Sequence, residues 1–192
     1  MPGVAGQAGL CGHALGPRLL AGARAMPKTE AMTQRAEHST VMDRLALDDL
    51  INGYARAVDD GDWPGYLALF TPDGRADYRS AGGIEAGTED IAAWLAEMLR
   101  QFAMRQHLIV NRRIELNRRD GAPGDTATIQ ADYLNPMRLA RPAADAGDDD
   151  PTAPNYTCGG RYDFTARRTP DGWRLTGVVV HEKWRQVRPL GD

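Results

Sequence analysis

Hydrophobic and polar residues recur with a helical period in the first half of the chain and with a strand period in the second. Between Asp43 and Asp60, residues Leu47, Leu50, Ile51, Tyr54, Ala55 and Val58 fall at i, i+3, i+4, i+7, i+8 and i+11, which predicts one apolar helical face. Gly61 supplies a stop, and Asp62 is placed to cap a second short helix, Trp63 to Phe70, whose first turn tolerates Pro64. Thr71 to Gly74 predicts a turn, Ala76 to Tyr78 a short strand, and Ala81 to Gly83 a loop. Thr88, followed by Glu89 and Asp90, is expected to cap a third helix carrying Ile91, Leu95, Met98, Leu99 and Phe102.

From Gln106 onward the period is strand-like. Segments 106–117, 126–139, 157–168 and 173–185 predict four long strands, joined by hairpin connections at 119–124 and 169–172. The stretch from Arg141 to Asn155, rich in Asp and Pro, reads as a long solvated loop. This order argues an α+β fold in which three N-terminal helices pack on one face of a curved, mostly antiparallel sheet. Residues 1–40 are rich in Ala, Gly and polar groups without sustained periodicity and are expected to be a disordered extension; a single domain spans 42–187, with a tail at 188–192.

Composition narrows the partners. A formal net charge of −3 with both signs mixed gives no basic field, so neither nucleic acid nor a membrane surface is expected. No apolar run approaches the roughly 20 residues that span a bilayer. The two cysteines, Cys11 and Cys158, lie far apart and form neither a disulfide framework nor a zinc spacing, which reads as a reduced, cytoplasmic protein.

Asp59 and Asp60 are the anomaly in the first helix, because their charges face the negative end of its macrodipole. Helix stability does not explain them, whereas a partly buried carboxylate polarising a histidine would. His107 opens the first long strand and shares a face with Ile109 and Asn111. By the same alternation Ile129, Ala131, Tyr133 and Asn135 share a face, leaving Asp132 opposite, and Gly160, Tyr162 and Phe164 share another. A sheet curling around helices leaves a conical cavity, which makes Asn135, Tyr133, Asn111, Tyr162 and Trp63 the expected substrate-binding residues. No paired histidine spacing suggests a metal, and no cofactor is expected.

Tyr54 and Asp59 ahead of Gly61-Asp62-Trp63, Phe70-Thr-Pro-Asp73, Gln106-His107 with Asn111, Gly159-Gly160-Arg161-Tyr162 and Asp171-Gly172-Trp173 together resemble the SnoaL-like branch of the NTF2-like superfamily, over about residues 42–187. The resemblance implies a cone-shaped α+β fold, shared by polyketide cyclases, scytalone dehydratase, bile-acid dehydratases, ketosteroid isomerases and non-catalytic subunits. Dehydratases of that superfamily use a tyrosine and an aspartate on the first helix and a histidine on the first long strand, which Tyr54, Asp59 and His107 match. The chain departs from the bile-acid enzymes later on. Their further acid is replaced by Asp132 or Asn135-Pro136, and Val180 and His181 occupy the region of their late-strand arginine.

The expected function is a cofactor-independent lyase or isomerase, of dehydratase or cyclase type, acting on a small apolar oxygenated molecule such as a polyketide, terpenoid or steroid. His107 would move the proton, Asp59 would hold and stabilise the imidazole, Tyr54 would donate to the developing oxyanion, and Asn135 would be a weaker second donor. The alternative is a non-catalytic binding or structural subunit, like the β subunits of aromatic-ring dioxygenases. A homodimer or higher homo-oligomer is expected from an outer sheet face bearing Leu108, Val110, Val178 and Val180.

Overall fold

The computed structural model describes residues 28–117, 122–140 and 152–188. Helices α1 (Lys28–Asp60), α2 (Trp63–Ala68) and α3 (Thr88–Met98) pack on a sheet built from β1 (Phe70–Asp77), β2 (Glu85–Gly87), β3 (Phe102–Arg105), β4 (Leu108–Asn117), β5 (Thr126–Leu139), β6 (Tyr156–Thr169) and β7 (Gly172–Val187). The seven strands run in the order β2-β1-β7-β6-β5-β3, with β4 pairing the remaining length of β5. Every pairing is antiparallel except that of β1 with β7. The curled sheet and its N-terminal helices are the α+β architecture that periodicity predicts.

The inner face carries the core. On α1 the buried apolar side chains are Leu47, Leu50, Ile51, Tyr54, Ala57 and Val58, the expected stripe except that Ala57 is buried and Ala55 only half-buried. Tyr54 is its centre, with ring contacts to Tyr66, Tyr162 and Phe164 at 5.8, 5.7 and 5.3 Å. From β5, Ala127, Ile129, Ala131, Tyr133 and Asn135 all point inward, as alternation requires.

Several local expectations change. Helix α1 starts at Lys28, so residues 28–40 of the expected disordered extension are helical, although nearly all exposed; residues 1–27, including Cys11, lie outside the described residues. The missing apolar face predicts a lack of packing, not a lack of helix, and a helix already nucleated propagates through good formers such as Glu30, Gln34, Arg35 and Ala36 at little cost. Gly87 takes the N-cap position of α3, and Thr88 is its first residue, buried. The expected turn at 71–74 lies within β1, which shifts register between Phe70 and Arg75. Val178 and Val180 point inward, opposite Phe164 and Tyr162, and are 1% and 3% exposed, which removes them from the outer face; Leu108 and Val110 remain on it. Half of the predicted hairpin connection at 119–124 and most of the loop at 141–155 lie outside the described residues. Among the described residues no helix is long and apolar enough to cross a membrane.

Candidate active site

The site begins where α1 ends. Gly61 adopts a left-handed φ of 69°, the Asp62 N–H donates to the Ala57 carbonyl at 2.9 Å, and the Gly61 N–H donates to the Val58 carbonyl at 3.4 Å. This Schellman closure suits glycine because an L side chain is strained at that φ. Asp62 then caps α2 by accepting from the Gly65 N–H at 2.9 Å, so its role is structural.

Asp59, in the last turn of α1, meets His107 at the junction of β3 and β4. One carboxylate oxygen accepts from the His107 backbone N–H at 2.8 Å, and the other faces ring Nδ1 at 2.5 Å. Both oxygens are engaged by one residue, which fixes the ring's rotation. A carboxylate facing Nδ1 favours the tautomer with the proton on Nδ1, which in a neutral ring leaves the lone pair on Nε2. The His107 side chain is 8% exposed and that of Asp59 19%, dry enough for the pair to interact strongly.

His107 lines a cavity of about 320 Å³ between α1, α3 and the sheet. Its walls are largely aromatic and apolar, with Tyr78, Trp94, Phe102, Tyr133, Tyr156 and Tyr162 prominent. Polar groups follow the strand register. Arg105 pairs with Met137 and Leu108 with Leu134, which sets His107 across from Asn135; Asn135 pairs with Cys158, and Cys158 with Arg185. Imidazole, carboxamide, thiol and guanidinium thus occupy successive positions across four strand segments, each step about 4.8 Å. Asn135 is 4% exposed, and its Oδ1 has no hydrogen-bond partner among the described residues.

Burial pushes the phenols of Tyr54, Tyr78, Tyr133 and Tyr162 well up, and pushes Tyr156 to about 12. They remain protonated donors at neutral pH. Burial, helped by the Glu182 carboxylate and opposed by the Arg185 guanidinium and the Asn135 amide, lifts the Cys158 thiol to about 11, so Cys158 is a thiol and not a nucleophilic thiolate.

Of the expected residues, His107, Tyr133, Asn135 and Tyr162 line the cavity. Tyr54 is 1% exposed and stands behind the wall, its hydroxyl bonded to that of Tyr78, which does line the cavity. Asn111 faces outward and donates to Asp132 at 3.3 Å, because a bulge between Val110 and Arg113 puts it at φ 53° and reverses the alternation. Trp63 packs edge-on against Tyr66 at 6.2 Å, away from the cavity lining. His181, on the outer face, pairs with Asp163 at 2.9 Å.

Sequence reasoning missed Tyr78 and the pair Glu182 and Arg185. The Arg185 guanidinium donates to both Glu182 carboxylate oxygens at 2.9 Å, and both side chains line the cavity. Strict alternation puts residues i and i+3 on opposite faces, but the register shift between Gly159 and Gly160 leaves Lys183 unpaired and brings the two together. An arginine therefore does reach the cavity, from beyond Val180 and His181. Alternation extended from the 76–78 strand could have flagged Tyr78. Among the described residues no group of three or more His, Cys, Asp or Glu side chains is arranged to hold a metal ion.

Comparison with known proteins agrees with this architecture. An uncharacterised Mycobacterium tuberculosis protein, Rv2910c, is 33% identical over 135 residues, covering 70% of this chain and 82% of its own length. The crystal structure of Kfla4162 from Kribbella flavida superposes with a TM-score of 0.62 at 26% identity, covering 77% of this chain and 95% of the other. A hexachlorocyclohexane dehydrochlorinase, LinA type 2, has the same fold with a TM-score of 0.62 at 16% identity, over 80% of this chain and 93% of its own. The SnoaL-like domain model matches residues 39–179, from just before the first buried position of α1 into β7, and the chain belongs to that family, with its NTF2-like fold.

Proposed function

We propose that this protein is a cofactor-independent lyase or isomerase, of dehydratase or cyclase type, acting on a small oxygenated ring compound. The observation that carries the reading is the 2.5 Å contact between His107 Nδ1 and Asp59 at the wall of an apolar cavity. His107 Nε2 takes a proton from a carbon next to a carbonyl, and the C–H electron pair moves onto the carbonyl oxygen as an enolate. Asp59 stabilises the imidazolium. When the enolate collapses, its electron pair forms the C=C bond and expels a hydroxyl, which leaves as water with the proton that His107 returns. Where a C=C bond is conjugated with the enolate and no leaving group is present, His107 returns the same proton to the far carbon of that dienolate, the double bond shifts, and the result is isomerisation.

Tyr78 takes the oxyanion-donor role that Tyr54 holds in the sequence reading, since its buried phenol lines the cavity with Tyr54 behind it. Aromatic walls suit a flat ring, a polyketide or a steroid-like skeleton. Removal of hydrogen chloride, the reaction that a dehydrochlorinase's name describes, is an elimination of the same class, and one such enzyme has this fold.

The test is deuterium exchange. Candidate hydroxyketones incubated in D2O with native protein should gain deuterium beside the carbonyl, and His107→Gln should abolish the gain. Tyr78→Phe should retain exchange at a rate lower by about a hundredfold. Undiminished exchange in a folded His107→Gln protein would remove His107 from the proton step, and exchange with native protein no faster than in buffer alone would turn the reading to a non-catalytic binding subunit.

A further inference from the structure

The last turn of α1 contains no basic residue, yet it holds Asp59 and Asp60 at the negative end of the helix. Its Schellman closure occupies the carbonyls of Ala57 and Val58. The Asp59 carbonyl is the next one that the helix cannot satisfy by itself. Arg105, the last residue of β3, fills that place. Its Nε and Nη2 donate to the Asp59 carbonyl at 3.2 and 2.8 Å, and its Nη1 donates to the Leu99 carbonyl at 3.4 Å.

The same short segment therefore grips one aspartate at both ends. Arg105 holds the main-chain carbonyl through two bonds, and His107 holds the carboxylate through two more. We propose that Arg105 is a positioning residue for the acid/base pair. Its fork sets where the end of α1 lies relative to His107, and its charge offsets the field that the helix end and Asp60 impose on the Asp59 carboxylate. The last turn of α1 has no basic residue, so the cation on this carbonyl comes from β3. The third bond, to Leu99, ties in the turn after α3, whose Leu99 also lines the cavity.

This inference rests on the reading of His107 and Asp59 as one unit, and one spectrum separates the two. In the full-length protein the Nδ1 proton shared with Asp59 should give a far-downfield proton resonance, identified by its loss in His107→Gln and Asp59→Asn. Absence of that resonance from the native protein would count against the pair itself. Arg105→Gln removes the charge and the fork; with circular dichroism unchanged, the resonance should broaden away or move upfield, and turnover should fall about a hundredfold in kcat with KM little changed. Arg105→Lys, which keeps the charge but loses the fork, should recover part of both. A resonance unchanged from native in folded Arg105→Gln overturns the proposal. If Arg105→Gln does not fold, Arg105→Lys decides, because a single ammonium nitrogen lacks the spread of three donor nitrogens that Arg105 uses on the two carbonyls; a resonance and a kcat identical to native would then overturn it.

Discussion

Helix α1 carries two inward-facing aspartates, and they meet different partners. Asp43, 4% exposed, accepts from the Arg168 guanidinium and from the Trp173 indole N–H at 3.3 Å, while that guanidinium lies 4.8 Å from the Trp173 ring centroid. Asp59 meets an imidazole. A guanidinium keeps its charge at every accessible pH, so the Asp43 cluster is a fixed tie between α1 and the β6–β7 hairpin. An imidazole gains and loses a proton near neutrality, and the one at Asp59 faces a cavity. The same residue type on one helix thus meets a permanent cation at one end and, at the other, an imidazole that the proposed function makes the proton carrier. The partner's chemistry and access to the cavity set the two apart.

The contrast breaks most sharply at His107. His107→Ala should lower turnover about a thousandfold or more while moving the melting temperature little, and adding Asp59→Asn should lower it little further, because a unit fails non-additively. Asp43→Ala should do the opposite. Stranding the buried Arg168 charge should cost about 3–5 kcal/mol in urea unfolding, with turnover per folded molecule near native.

The buried phenols sharpen the picture of the wall between the two ends. Their proton affinities are raised in the folded state, so the unfolded chain releases those protons first as pH rises past about 10. The folded state then binds more protons than the unfolded one, and stability should fall with rising pH by up to about 1.4 kcal/mol per pH unit for each such tyrosine, measurable as alkaline-limb melts. Below that range these groups leave stability flat. The smallest effect is expected on the outer face, where Leu108, Val110, Leu134 and Val179 are exposed. Sedimentation at micromolar concentration should find a homodimer, and Val110→Asp should weaken it without disturbing either aspartate.

Sequence alone determined the elements with strong local codes: the stripe from Leu47 to Val58, the Gly61 stop, the Asp62 cap and the full extent of β5. Asp59 was legible because its charge opposes the helix dipole, and His107 because it opens a strand and the resemblance places a histidine there. Their contact was not legible, since Asp59 and His107 are far apart in the chain and nothing local encodes a 2.5 Å approach. Tertiary structure alone decided that Tyr78 stands in front of Tyr54, that Asn111 turns outward, that Glu182 meets Arg185, and that Arg105 satisfies the Asp59 carbonyl. The physical reason is common to these cases. Periodicity and capping are set within a turn or two of the chain, whereas bulges and strand register are set by how the whole sheet curls, and a single extra residue reverses every face that follows it.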